Sequence, residues 1–270
     1  MVDVRFITST NMKKEILEKF PKFLEENYNY NLCLSDDIDS FFSCLVLNKL
    51  KGYKIGWFYN FNSIYRADTY KKGTKIIGVD MDLVNNKRCW GNHVTLNNPN
   101  SANLNTILGI NRNNYTSKFA GSTLLTILSY YNVDLSDLSE KQLELLISID
   151  VAFKQYFFNK NLFKKYYNDI LEYPMFIDII EKHDKEYFYN IILEYKLNEH
   201  IYIENGQLKT NIELDKLEKI FPKLSFNLPK NTYKKIREFE IVQSDWQKHE
   251  QEEIFSCART FKNKLRYSIL

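Results

Sequence analysis

Short apolar runs alternate with stretches of helical spacing through the first half of the chain. Tyr30 to Leu34 is a strand ending in Leu32-Cys33-Leu34, and Phe41, Phe42, Leu45, Val46 and Leu50 then recur on one helical face. Leu32 to Leu47 (LCLSDDIDSFFSCLVL) therefore reads as strand, acidic turn and helix. Lys51-Gly52 closes that helix, Lys54 to Asn60 (KIGWFYN) is a second strand, and Lys75 to Val79 (KIIGV) is a third, fully apolar one. Asn62 to Thr69, between the last two, reads as loop or short helix. Buried strands separated by helical stretches predict a parallel, doubly wound sheet.

Around this centre the pattern is weaker. Val2 to Thr8 alternates slightly, as a short strand or a loose start would. Asn11 to Asn27 has helical spacing interrupted by Pro21, which implies two short helices or a kink. Asn97 to Asn114 is Asn-rich and reads as loop, with a short element near Leu104 to Leu108. Thr116 to Tyr131 is a helix. Ser139 starts another, with Gln142 at the capping-box position, and its pattern runs on through Asp150 to Phe157. A carboxylate between LLISI and VAF is costly to bury unless it is paired or holds a cation; otherwise it faces solvent.

From about residue 160 the chain becomes rich in Tyr, Lys and Glu. Lys160 to Tyr173 and Pro174 to Lys196 are helical, Ile201 to Thr210 is a hairpin turning at Asn205-Gly206, and Lys219 to Lys230 is loop-like. Ile236 to Val242 reads as a strand, and Asp245 to Leu265 as a last amphipathic helix. The expected architecture is α/β: a parallel sheet flanked by helices over residues 1–155, then a mainly helical region over 156–270.

Composition narrows the classes. Hydrophobic residues make up 44% and aromatics 15%, enough to build a core. The 37 basic and 34 acidic residues leave a net charge of +3, too balanced for a dedicated duplex-binding protein. The four cysteines, Cys33, Cys44, Cys89 and Cys257, form no CxxC pair and read as reduced core thiols. No apolar run reaches the length of a membrane span, and MVDVRFITST lacks a signal-peptide core, so a cytoplasmic protein without a membrane partner is expected.

The chemistry concentrates at two strand ends. Asp36, Asp37 and Asp39 follow the first strand, and Asp80 and Asp82 follow the third. Ligands of open α/β sheets bind outside the carboxyl ends of strands, and clustered carboxylates repel one another unless a cation sits between them. Helix capping, by Ser35 or Asp36, accounts for one such acid. His183, His200 and His249 lack ligand spacing and read as surface residues. Tyr166, Tyr167, Tyr187, Tyr189, Tyr195 and Tyr202, interleaved with lysines, offer stacking surface for nucleotides or simply core.

Taken with Gly91-Asn92-His93-Val94-Thr95 and Asp150, these residues resemble the DHH phosphoesterase superfamily. Asp37-Ile38-Asp39 matches its first motif, with Ser35 or a neighbour where a His usually stands. IIGVD, ending at Asp80, matches the second, GNHVT the third, and LLISID, ending at Asp150, the fourth. The likeness covers about residues 30–155, and the Gly-rich substrate-binding motif of that family is missing. It implies Asp37, Asp39, Asp80, His93 and Asp150 as ligands of one or two Mn²⁺ ions, with Asp80, Asn92 and His93 catalytic. His93 aligns with either His of the third motif. The implied activity is metal-dependent hydrolysis of single-stranded or short oligonucleotides, or of a nucleotide signal. The alternative is an inactive scaffold of the same fold that binds a protein or nucleic-acid partner.

Overall fold

The computed structural model describes residues 12–71, 73–245 and 247–270; the alternating segment Val2 to Thr8 lies outside them. Two short turns precede the sheet, α1 (Lys14–Leu17) and a 3-10 turn at Lys22–Glu25, separated by Pro21. β1 (Asn31–Leu34) leads into α2 (Ile38–Lys51), which ends where Gly52 adopts φ 74° and its N–H bonds back to Asn48. β2 (Lys54–Tyr59), β3 (Ser63–Ala67) and β4 (Ile76–Val79) follow, then the two-residue strands β5 (Cys89–Trp90) and β6 (Ser101–Ala102). Asn62 to Thr69 is thus a strand rather than loop or helix: β3 folds back antiparallel on β2, pairing Tyr59 with Ile64.

The middle of the chain is helical. α3 (Leu104–Ile107), α4 (Thr123–Tyr130) and α5 (Glu140–Ser148) are followed by α6 (Lys154–Phe158), α7 (Lys160–Lys164), a wider π turn over Lys165–Ile170, α8 (Met175–Glu181) and α9 (Lys185–Tyr195). The hairpin β7 (Ile201–Glu204) and β8 (Gln207–Thr210) turns at Asn205-Gly206, both at positive φ. After α10 (Leu214–Ile220) come β9 (Tyr233–Glu238), β10 (Glu240–Ser244), β11 (Ile254–Phe261) and β12 (Lys264–Ile269). The last two replace the amphipathic helix expected over Asp245 to Leu265. They turn at Lys262-Asn263 and bury Ile254, Cys257, Leu265 and Tyr267 against Val84.

Among the described residues the main sheet has seven strands in the order β6-β5-β4-β1-β2-β3-β9, parallel from β6 to β2 and antiparallel at β3 and β9. Since β1 lies between β2 and β4, the chain leaves β1 in one direction and later returns on its other side. The crevice outside the ends of β1 and β4 is therefore the topological switch point. Burial follows from this: Leu32, Leu34, Ile77 and Val79 are buried and join one large core with Phe41, Leu47, Leu124 and Ile127. Ser40 stitches the two strand ends, accepting from the Ser35 N–H and donating to the Val79 carbonyl at 2.7 Å. Among the described residues no helix is long and apolar enough to cross a membrane.

The C-terminal hairpin is fastened to this sheet by buried hydroxyls. Tyr59 lies 2.6 Å from Ser256 and 2.7 Å from Ser268, which are 3.0 Å from each other. Tyr59→Phe removes two of these three contacts and keeps the ring. A destabilisation of about 1–2 kcal/mol is expected, read from the urea midpoint. An unchanged midpoint would mean that these hydroxyl contacts add nothing to the backbone bonds and apolar packing that hold the hairpin.

Candidate functional site

Asp37 caps α2, accepting the Ser40 N–H at 2.9 Å, so the cap falls one residue past the positions considered from sequence. Asp39, in the first turn, is buried. Its two carboxylate oxygens accept the N–H groups of Thr123 and Leu124 at 2.7 and 2.8 Å. A residue that starts one helix thus also satisfies the orphan donors that start another. Asp80, directly after β4, accepts from the Thr123 hydroxyl at 2.6 Å. Its φ of 53° is the left-handed region, which Asp adopts more readily than most residues.

Asp150 does not lie inside a helix. α5 ends at Ser148, and Asp150 and Val151 have φ of 51° and 50°. A β-branched residue at that φ is a real outlier, held by its surroundings. The break turns the Asp150 carboxylate to the crevice, where it accepts from Asn92 Nδ2 at 2.6 Å. Asn92 also donates to the Gly121 carbonyl, while its own side-chain oxygen, buried, has no partner among the described residues.

His93 Nδ1 donates to Asp82 at 2.9 Å. Asp82, itself buried, also accepts from Asn103, which donates in addition to the His93 carbonyl. Gly91 is required by this approach, because a Cβ there would collide with the Asp82 carboxylate. Asn105, fully buried, donates to the carbonyls of Asn92 and Phe119 and accepts the Phe119 N–H. The Asn-rich segment read as loop is thus the frame of the Asn92-His93 turn.

The structure brings Asp37, Asp39, Asp80, Asp150, Asn92 and His93 together at the switch point. Asp37, Asp80 and His93 are half-buried, and Asp150 is exposed. Crowding by protein, then the mutual repulsion of the acids, raises all four carboxyls. Asp37 rises well above the usual range through burial and the charge of Asp80, and Asp39 through burial, Asp80, Asp150 and Asp37. Asp80 is pushed up to about 6 by burial and Asp150, against His93 and the Thr123 hydroxyl. Asp150, open to solvent yet closely surrounded by protein atoms, is raised to about 6 by that crowding and by Asp37, against His93, Asn92 and Lys118, and its exposure screens these charges and weakens the effect. For His93, burial pulls down, but the Asp82 hydrogen bond and the charges of Asp82, Asp150 and Asp80 carry it to about 9.

Tyr167, from the π turn, enters the same region unforeseen. It is fully buried, stacked at 3.9 Å on Phe163, and its hydroxyl has no partner. A Cβ on Gly121 would lie 2.7 Å from that oxygen. Tyr166 and Tyr195 are also core, so of the tyrosines offered for stacking only Tyr202 is exposed. His200 lies 3.4 Å from Asp36, and His249 lies 3.3 Å from Glu253. His183, read from sequence as a surface residue, instead meets Glu140 and Glu144, with one ligand atom of each within 4.8 Å of the others.

No family model, no curated protein and no solved structure matches this chain.

Two outcomes are expected. Asn105→Ala leaves three buried backbone groups unpaired and should cost about 3 kcal/mol or more in denaturant unfolding. The metal-free protein should lose stability as pH rises from about 4 to 6. Asp80 and Asp150 have folded values above their unfolded ones, so the folded state holds their protons through that window. The His93 contribution, full below about 6.5, is lost as pH rises towards about 9. Melting temperature against pH, with Asp80→Asn flattening the lower window, checks both signs.

Proposed function

We propose that this chain is a metal-dependent phosphodiesterase of the DHH-like kind, acting on single-stranded or short oligonucleotides or on a nucleotide signal. The observation that carries the reading is the convergence of four carboxylates, from the ends of β1, β4 and α5, on one crevice with His93.

The donor set suits a hard cation once its side chains close in, since in the metal-free geometry no three ligand atoms of the four aspartates and His93 lie within 4.8 Å of one another. The unpartnered Asn92 oxygen lies in the turn that faces four crowded carboxylates, and oxygen donors with one imidazole suit Mn²⁺. Asp37, Asp39, Asp80 and Asp150 would hold one or two such ions, with His93 through Nε2. When bound, the metal supplies an activated water and neutralises phosphoryl oxygens. The chain's own groups do the positioning. Asp82 holds the proton at His93 Nδ1 and so fixes which nitrogen faces the crevice. Thr123 and Leu124 fix Asp39, the Thr123 hydroxyl fixes Asp80, and Asn92 fixes Asp150.

One observation favours a second reading, an inactive scaffold that binds a protein or nucleic-acid partner. Ser35 stands near the place where the family carries a His, and it is buried with its N–H bonded to Ser40. Asn92 likewise occupies a place in the third motif. Assays with Mn²⁺ on short RNA, single-stranded DNA and cyclic dinucleotides separate the two. Wild type should cleave at least one, and Asp80→Asn, which tolerates the left-handed backbone, should lose about a thousandfold or more. Cleavage of none by wild type, with no thermal stabilisation by Mn²⁺, would leave the scaffold reading in its place.

A further inference from the structure

At the opposite end of α5 from Asp150, Glu140 and Glu144 lie four residues apart and so share one helical face. His183 comes from the link between α8 and α9, both of which pack on α5. Its Nε2 is 3.1 Å from Glu144 Oε1 and 3.9 Å from Glu140 Oε1. A tetrahedral ion with bonds of about 2.0–2.2 Å holds its ligand atoms about 3.3–3.6 Å apart, a spacing that the two observed separations bracket.

The rest of the arrangement keeps these atoms in place. The Glu144 side chain is only 5% exposed, so its carboxylate cannot turn out to water. The other Glu140 oxygen accepts from Lys182 at 2.8 Å, which leaves Oε1 as the one facing the His183 imidazole. The imidazole stacks on Tyr187 at 3.7 Å with planes 7° apart, which fixes its direction. Glu140 and His183 are open to solvent at 50% and 23%, giving an ion a way in and a water a fourth position.

We propose that Glu140, Glu144 and His183 form a second metal site, for a divalent ion of the zinc class, that ties α5 to the α8–α9 link. Two carboxylate oxygens and an imidazole suit zinc. The site shares no residue with the crevice and stands whether or not the crevice binds metal.

The test is calorimetric titration of Zn²⁺ into Asp80→Asn protein, which removes a crevice carboxylate from the background. One ion per chain is expected, with a rise in melting temperature. Adding Glu144→Gln, or separately His183→Ala, should weaken that binding about tenfold or more and abolish the rise. Circular dichroism establishes that each variant is folded, and either one suffices to decide. Co²⁺ in place of Zn²⁺ should give tetrahedral visible absorption in the parent and none in the variants. Absence of binding in the parent, or binding of equal strength after both substitutions, would overturn the proposal.

Discussion

One carboxylate holds the centre of this fold together. Asp39 stands in the first turn of α2 and at the same time receives the first two N–H groups of α4, a connection across more than eighty residues of chain. The partial positive charge of a helix start compensates a buried negative charge. Thr123, whose N–H goes to Asp39, sends its hydroxyl to Asp80. The ends of β1 and β4 and the start of α4 are thereby fixed to one another through two aspartates. Asp39 is held by the backbone, so its position does not require a cation. The crowding of Asp37, Asp80 and Asp150 around it does call for positive charge, and His93 supplies one such charge from within the chain.

The frame around this centre is built from side-chain amides rather than from regular structure. Asn98, Asn103 and Asn105 are buried, and each bonds to backbone or side-chain groups of the segment that carries Asp82, Asn92 and His93. β11 then lies along that segment, with Cys257 donating to the Asp82 carbonyl and Arg259 to the Val94 carbonyl. The C-terminal hairpin therefore braces the His93 turn from outside while Asn103 and Asn105 hold it from within. A buried network of this kind specifies one geometry because any member left unpaired is costly.

The sheet and its acidic strand ends were readable from the sequence because each rests on local pattern. Leu32 to Leu34 and Ile76 to Val79 are apolar runs followed at once by acids, and the helix at Phe41 has its own period. The convergence of Asp150 was suggested by likeness alone, since its apolar neighbours imitate an unbroken helix; the left-handed break after Ser148 has no signal in composition. Asparagine favours loops by propensity, so the frame of Asn98 to Asn105 read as a connection. Asp245 to Leu265 was misread because charged residues spaced along a two-stranded ribbon mimic an amphipathic helix, and Lys262-Asn263 is a weak turn signal. The meeting of His183 with Glu144 depends on α5 packing against α8 and α9, and no local period reports that.

The central claim is that the aspartates around Asp39 form a cation site rather than a set of helix caps. Anomalous diffraction from crystals soaked in Mn²⁺ tests it most directly. The expected result is a manganese peak in the crevice with oxygens of Asp80 and at least one of Asp37, Asp39 and Asp150 within about 2.0–2.6 Å, the range of hard-cation bonds to oxygen. An empty crevice at saturating Mn²⁺, with the four carboxylates where they stand in the metal-free protein, would contradict it.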